Sequence, residues 1–168
     1  MGRPNPTAAS VEELVAAVRT KGLDGIAITD HYTKTNAYRI RDIVDQHFGG
    51  EILIIPGQEI SRLFPGTPYY VHVVELYLTP DTTFRFIAHP GHPWVRDLSL
   101  LADAGIHGIE LKNPNYDHEM DEPEIRQMAE KHDLMLLTNS DAHTLTDIGR
   151  YYNHCTPEEL LARAARGG

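Results

Sequence analysis

The chain has almost no cysteine, no signal-like N-terminus and no long hydrophobic run, and each shortage excludes a class of protein. Cys155 is the only cysteine among 168 residues, so an intrachain disulfide is impossible and a reducing compartment is expected. No apolar stretch approaches the ~20 residues that a membrane-spanning helix needs. The N-terminal sequence MGRPNPTAAS lacks the apolar region of a secretory signal. We therefore expect a cytoplasmic protein without membrane partners.

Basic residues are also scarce. The chain has 15 Lys and Arg against 24 Asp and Glu, which gives a net charge of −9, and no run of Lys or Arg appears. Proteins that bind extended duplexes usually carry a basic surface that neutralises phosphates. The charge therefore argues against extended duplex binding. Ten His among many carboxylates suit bound divalent cations instead.

Helix and strand patterns alternate along the chain. Helices are predicted at 36–48 and 94–104 by apolar spacing, and capping signals predict other helix starts at Ser10, Asp121 and Thr156. The strands between them are rich in Ile, Leu and Val, as in sheets that helices cover. With 41% hydrophobic residues and no linker or repeat, residues 1–168 are predicted to form one α/β domain with a parallel sheet.

Side chains that bind metals recur where these apolar strands end. They are Asp30 and His31 after IAIT, Glu59 after ILIIPGQ, His72 within YYVHVV, His89 after FRFIA, and Asp141 and His143 in SDAH. In parallel α/β folds the carboxyl ends of the strands form the active face. The pattern therefore predicts that these side chains share one site.

One joint does not fit a parallel sheet. Only residues 79–83 separate the strand 69–78 from the strand that ends at His89, whereas a parallel crossover needs about a dozen residues. Either the two strands are antiparallel, or a connecting segment is absent. We favour the absent segment, because His72 and His89 should lie at the same end of the sheet if both bind metal.

Imidazoles and carboxylates together suit Zn, Mn or Fe(II), and a carboxylate can bridge two ions. A hydroxide held by such ions can attack a phosphoester without a Ser or Cys nucleophile. The sequence has no G-x-S-x-G motif, P-loop or C-x-x-C motif that would support another mechanism.

The strings ITDH, GQEI, VHVVEL, AHP and SDAHTLTDIGRYYN, in this order, resemble the motifs of the PHP (polymerase and histidinol phosphatase) family over roughly residues 8–155. The resemblance implies a distorted (β/α)7 TIM-like barrel. It also implies an enzyme, a metal-dependent phosphoesterase with up to three divalent ions (Zn, Mn or Fe). Its substrate would be a small phosphomonoester, or a nucleotide or the end of a short nucleic acid.

The resemblance also implies a role for each matching residue. Glu59 would bridge the first and second metals, and His72 and His89 would complete the second. Asp141 would bind the first metal, and His31 and His143 the third. Glu59 and Asp141 are thus the predicted catalytic residues, together with His92, which would contact the phosphate or protonate the leaving group.

Three further residues are predicted around the metals. Asp30 would orient an imidazole ring. Asn113 would face the site, although an Asn before a proline also forms turns. Arg62 would contact a substrate phosphate.

The chain departs from the family at its start. The family opens with a strand that carries His-x-His, and residues 1–9 contain no His. The resemblance then implies a barrel that is incomplete at the first strand, with ligands missing from the first and third metals. A catalytically weakened domain with a structural or partner-binding role is the main alternative. A metal-dependent C–N hydrolase, with Lys112 as the bridging lysine, is a weaker one.

Overall fold

The computed structural model describes residues 5–63, 70–91 and 105–166. Six strands and four α-helices alternate unevenly along these ranges, and a short 3-10 helix covers Leu145–Asp147. The strands are β1 (Gly25–Ile28), β2 (Leu53–Leu63), β3 (Tyr70–Thr79), β4 (Thr82–Ile87), β5 (Gly108–Lys112) and β6 (Met135–Thr138). The helices are α1 (Ala8–Thr20), α2 (Thr35–His47), α3 (Glu122–Lys131) and α4 (Pro157–Arg166). The predicted helix 94–104 lies outside the described residues.

The strands form one curled half-barrel sheet in the order β1 to β6. β1 pairs with β2 in parallel, and β4, β5 and β6 also run parallel to one another. β2 with β3, and β3 with β4, are antiparallel. The sheet is therefore mixed, the prediction of an all-parallel sheet is wrong, and a closed seven-stranded barrel stays a prediction.

β3 and β4 form a hairpin, so the expectation of an absent connecting segment is wrong. Thr79 pairs with Thr82 across the turn, and Val73 pairs with Ile87 near the open end. The expectation placed His72 at the end of its strand, but it lies near the beginning of β3. Antiparallel pairing therefore brings it beside the end of β4, where the Ala88 amide donates to the His72 carbonyl at 2.9 Å.

β2 is longer than the apolar run that predicted it. It continues to Leu63 because residues 57–63 pair with β3. Glu59 consequently lies inside a strand, rather than after its end. Its neighbours on both sides are fixed by the ladder, which is a more rigid setting than a loop.

Helices α1, α2 and α3 pack against the sheet in two groups, and a third group joins Leu160 of α4 to Phe84 of β4. Val11, Val15 and Val18 of α1 pack with Val44 of α2 and Ile54 of β2. The second group joins α3 to β5. Its buried members include Ile109, Ile125 and Ala129.

The helix starts largely follow the sequence signals. The Asp121 carboxylate accepts from the Glu124 amide, and Thr156 and Glu159 form a reciprocal capping box. α1 differs, because Thr7 rather than Ser10 caps it. No described helix combines the length and hydrophobicity that a bilayer crossing requires.

Candidate metal centre

Glu59, His72 and His89 converge where β2, β3 and the end of β4 meet. Nδ1 of His72 lies 2.6 Å from Oε1 of Glu59, and Nε2 of His89 lies 3.5 Å from the same oxygen. The two imidazole nitrogens are 3.3 Å apart. The antiparallel register produces this convergence by setting Glu59 opposite Val74 and His72 opposite Ser61, so that the two side chains share one face.

These three donors have the spacing and chemistry of a metal site. Ligands about 2.1 Å from a tetrahedral zinc ion lie about 3.4 Å from one another. The three ligand atoms of Glu59, His72 and His89 lie within 4.8 Å of one another. Two imidazoles and a carboxylate suit Zn, Mn and Fe(II). The residues present therefore fit a divalent cation.

The electrostatics keep the carboxylate ionised. Burial opposes ionisation of Glu59, but hydrogen bonds from His72 and His89 and the charges of His72 and His31 outweigh it and lower its pKa to about 2. Burial also disfavours the charged form of His89, yet Glu59, Glu110 and Asp141 together raise the pKa of its imidazole. The cluster thus holds an anionic ligand at neutral pH.

His31 and Asp30 lie beside this cluster. His31 forms an isolated parallel bridge with Glu59, and its ring centroid is 5.8 Å from that of His72. The Asp30 carboxylate accepts a hydrogen bond from the side-chain amide of Asn36 at 3.4 Å. The backbone carbonyl of Asp30 accepts from the backbone amide of Glu59. Both residues line the same cavity as Glu59.

Asp141 and His143 lie after β6. The carboxylate of Asp141 accepts from Asn113 at 3.3 Å and Asn115 at 3.1 Å, and Nδ1 of His143 is 2.9 Å from the Asp141 carbonyl. The His143 side chain is 63% exposed. Within the ranges that the structure describes, neither residue belongs to the compact cluster, which contains only Glu59, His72 and His89.

A cavity of about 1030 Å³ joins the two groups. Its walls include Asp30, His31, Glu59, His89, Asn113, Asp141 and His143. Most predicted ligands therefore face one space, as the strand-end pattern predicted. Their individual roles remain predictions.

The remaining predicted residues lie elsewhere. Side chains alternate along β2, so Arg62 lies on the face opposite Glu59. This position does not favour a contact between Arg62 and a phosphate at the cluster, and that contact stays a prediction. Lys112 lies 2.6 Å from Glu122 on α3, which weakens the C–N hydrolase alternative. His92 lies outside the described residues.

Sequence reasoning missed Glu110, which is 2% exposed in the middle of β5. Its carboxylate accepts hydrogen bonds from the His89 amide at 2.6 Å, from Asn113 at 3.0 Å and from Asn139 at 2.7 Å. Burial raises its pKa to about 7, against the lowering effect of these donors. A lone Glu between Ile109 and Leu111 is the one signal that the sequence offered.

Tyr116 was also missed. Its ring stacks on His89 with centroids 4.3 Å apart. Burial, with the charges of Asp141 and Glu59, raises the pKa of its phenol. Tyr116 therefore stays protonated beside the cluster at neutral pH.

Comparisons with known proteins concern the C-terminal segment and the fold. The model of the PHP-associated family matches residues 122–167. A presumed metal-dependent phosphoesterase from Bifidobacterium adolescentis has a similar structure, with a TM-score of 0.68 and 15% identity over 91% of this chain and 90% of that one.

PsfC from Pseudomonas syringae PB-5123 superposes with a TM-score of 0.63 and 16% identity, over 95% of this chain and 82% of that one. No curated protein sequence matches this chain. The two structures share the fold of this chain. The matched C-terminal segment supports the assignment of this chain to the PHP family.

Proposed function

We propose that this protein is a metal-dependent phosphoesterase whose principal cation site is formed by Glu59, His72 and His89. The observation that carries the proposal is the convergence of these three donors at 2.6, 3.3 and 3.5 Å, with Glu59 and His89 on the wall of a large cavity. The presumed phosphoesterase activity of the structural neighbour from Bifidobacterium adolescentis supports it.

A divalent cation at such a site lowers the pKa of a coordinated water to about 7 and offsets charge on a phosphate. The chain's own part is to hold that cation and to orient the substrate. Glu59 supplies a carboxylate that stays ionised, since its pKa is about 2. His72 and His89 supply imidazole nitrogen ligands.

Further ions would use other parts of the cavity wall. Asp141 and His143 after β6, and His31 beside the cluster, offer ligands on the same cavity. We propose them for up to two more ions, Zn, Mn or Fe, with Asp141 serving catalysis beside Glu59. Asn113 and Asn115 orient the Asp141 carboxylate by donating to it.

The substrate we propose is a small phosphorylated molecule, or the end of a short nucleic acid. A cavity of about 1030 Å³ is large enough for such a ligand. The protonated Tyr116 phenol, next to His89, is a candidate donor to a phosphate oxygen. The net charge of −9 still argues against an extended duplex.

One observation favours a second candidate, a metal-binding domain with weakened catalysis and a structural or partner-binding role. Only one compact cluster forms among the described residues, and Asp141 and His143 stand apart from it. Such a protein would bind a single cation without turnover.

Metal analysis and an activity assay separate the two candidates. The purified protein is dialysed, its metal content is measured by mass spectrometry, and hydrolysis of nitrophenyl phosphate, a nitrophenyl diester and a short oligonucleotide is followed with added Mn²⁺. We expect at least two ions per chain and Mn²⁺-stimulated cleavage. One ion without turnover of any substrate would support the second candidate and overturn the enzyme.

A further inference from the structure

Backbone strain is concentrated at the candidate metal centre. Four described residues other than glycine have positive φ, and two of them are predicted ligands, His89 at 30° and Asp141 at 45°. A third, Tyr32, follows the predicted ligand His31. Residues other than glycine rarely adopt a backbone conformation with positive φ, so surrounding contacts must stabilise it.

One such contact is visible at His89. Its amide donates to Oε2 of Glu110 at 2.6 Å, inside the protein, where β5 runs beside β4. This hydrogen bond is short and lies inside the protein, where water does not compete for the amide. Glu110 thereby holds the backbone of His89 in the orientation that directs its ring at Glu59.

The same carboxylate is connected to Asp141. Asn113, which is 1% exposed, donates from one amide group to Glu110 at 3.0 Å and to Asp141 at 3.3 Å. Asn139 donates to the other Glu110 oxygen at 2.7 Å. The strained residue after β4 and the strained residue after β6 are therefore linked through one buried network.

We propose that Glu110 is a positioning residue that, with Asn113, fixes His89 and Asp141 relative to each other across the cavity. This role does not require Glu110 to contact the substrate or the cation. The consequence for metal affinity rests on the proposed function, whereas the consequence for the backbone of His89 does not.

The chemistry of the network explains why a carboxylate is needed. Both Glu110 oxygens accept from N–H donors. A glutamine has the same shape but one acceptor oxygen, so its amide nitrogen would face a donor in either orientation. Glu110→Gln therefore disrupts the network with little change in side-chain volume.

The test is Glu110→Gln, with Glu75→Gln as the matched control. Glu75 lies in the same sheet and also accepts from three donors, the side chains of Gln58, Tyr77 and Arg85, but it lies on the face opposite His72. Two readouts are compared between the variants. They are the Co²⁺ affinity and visible spectrum, and the His89 amide chemical shift in metal-free protein.

We expect Glu110→Gln to weaken Co²⁺ binding about 10- to 100-fold, as loss of groups that orient ligands does. The His89 amide resonance should also move upfield, while Glu75→Gln changes neither. An unchanged His89 resonance in Glu110→Gln, or a Co²⁺ affinity that falls equally in both variants, would overturn the proposal.

Two other outcomes change which measurement decides the proposal. If the wild-type protein binds no Co²⁺, the proposed function fails, and the amide shift alone decides the role of Glu110. If Glu110→Gln does not fold, Asn113→Ala replaces it and the Asp141 amide resonance is followed. A folded Asn113→Ala with unchanged Asp141 resonance and unchanged Co²⁺ affinity contradicts the link.

Discussion

Nδ1 of His72 lies 2.6 Å from Oε1 of Glu59, across two antiparallel strands. This contact depends on strand register, because a shift by one residue would turn either side chain to the opposite face. The candidate metal centre thus depends on the pairing of β2 with β3.

Glu59→Gln should weaken binding of Mn²⁺ or Zn²⁺ by more than about 100-fold, because a ligand matters more than a residue that orients one. Calorimetry measures the affinity, and the nitrophenyl phosphate assay should show a parallel loss of activity. Glu12→Gln, which changes an exposed carboxyl on α1, is the matched control and should behave as wild type. Equal affinity in Glu59→Gln and Glu12→Gln would contradict the assignment of Glu59.

Metal binding should release protons and strengthen as pH rises. The carboxylates around His89 raise its pKa, so its protonated form persists to higher pH than in a free imidazole, and a cation needs the neutral form. Affinity should therefore increase with pH until the raised pKa is passed and then level off. Calorimetry in buffers of different ionisation enthalpy measures the released protons. Binding that is independent of pH and buffer would count against His89 as a ligand.

Glu75 should make stability depend on acid pH. Burial opposes its ionisation, but hydrogen bonds from Gln58, Arg85 and Tyr77 and the charge of Arg85 lower its pKa below the ordinary 4.5. Its stabilising contribution is therefore complete above pH 4.5 and is lost as pH falls through the lowered value. In urea unfolding between pH 3 and 7, the free energy of unfolding should fall less steeply towards acid pH in Glu75→Gln than in the wild-type protein. The same steepness in both proteins would exclude this carboxyl as the cause.

Asp121→Ala should destabilise the protein by about 1 kcal/mol, because the Asp121 carboxylate accepts from the Glu124 amide at the start of α3. Urea unfolding at pH 7 measures the change. Asp121→Asn keeps a hydrogen-bond acceptor and should lose much less stability. If both variants lose the same free energy, the cap is not the source of the effect.

The helices and their starts were largely predictable because their signals are local. Spacing of Ile40, Val44 and Phe48 indicated α2, and the Asp121 and Thr156 caps act on amides three residues away. Such interactions depend only on residues that are close in the sequence. They need no knowledge of the rest of the fold.

The sheet was less predictable because strand direction depends on long-range pairing. The short joint before Thr82 correctly indicated a hairpin as one alternative, but the requirement that His72 and His89 share an end favoured the wrong one. The position of His72 within its strand decides the question. Sequence periodicity cannot locate a strand's first residue that closely.

Much of the candidate site could still be predicted, since its candidate ligands are chemically distinctive and follow apolar runs. Glu59, His89 and Asp141 all line one cavity. Glu110 could not be found in this way, because its role arises from three donors that reach it from different parts of the chain. A residue of that kind becomes visible only when the strands are assembled.

The β3–β4 hairpin has a consequence for folding. His72 and His89 are 17 residues apart and Glu59 precedes them on the adjoining strand, so all three donors belong to one continuous antiparallel meander. Closing short loops costs little chain entropy, and local contacts form quickly. A cation could therefore be captured by this meander before α3, β6 and α4 have docked, and would act as a nucleus for the later elements.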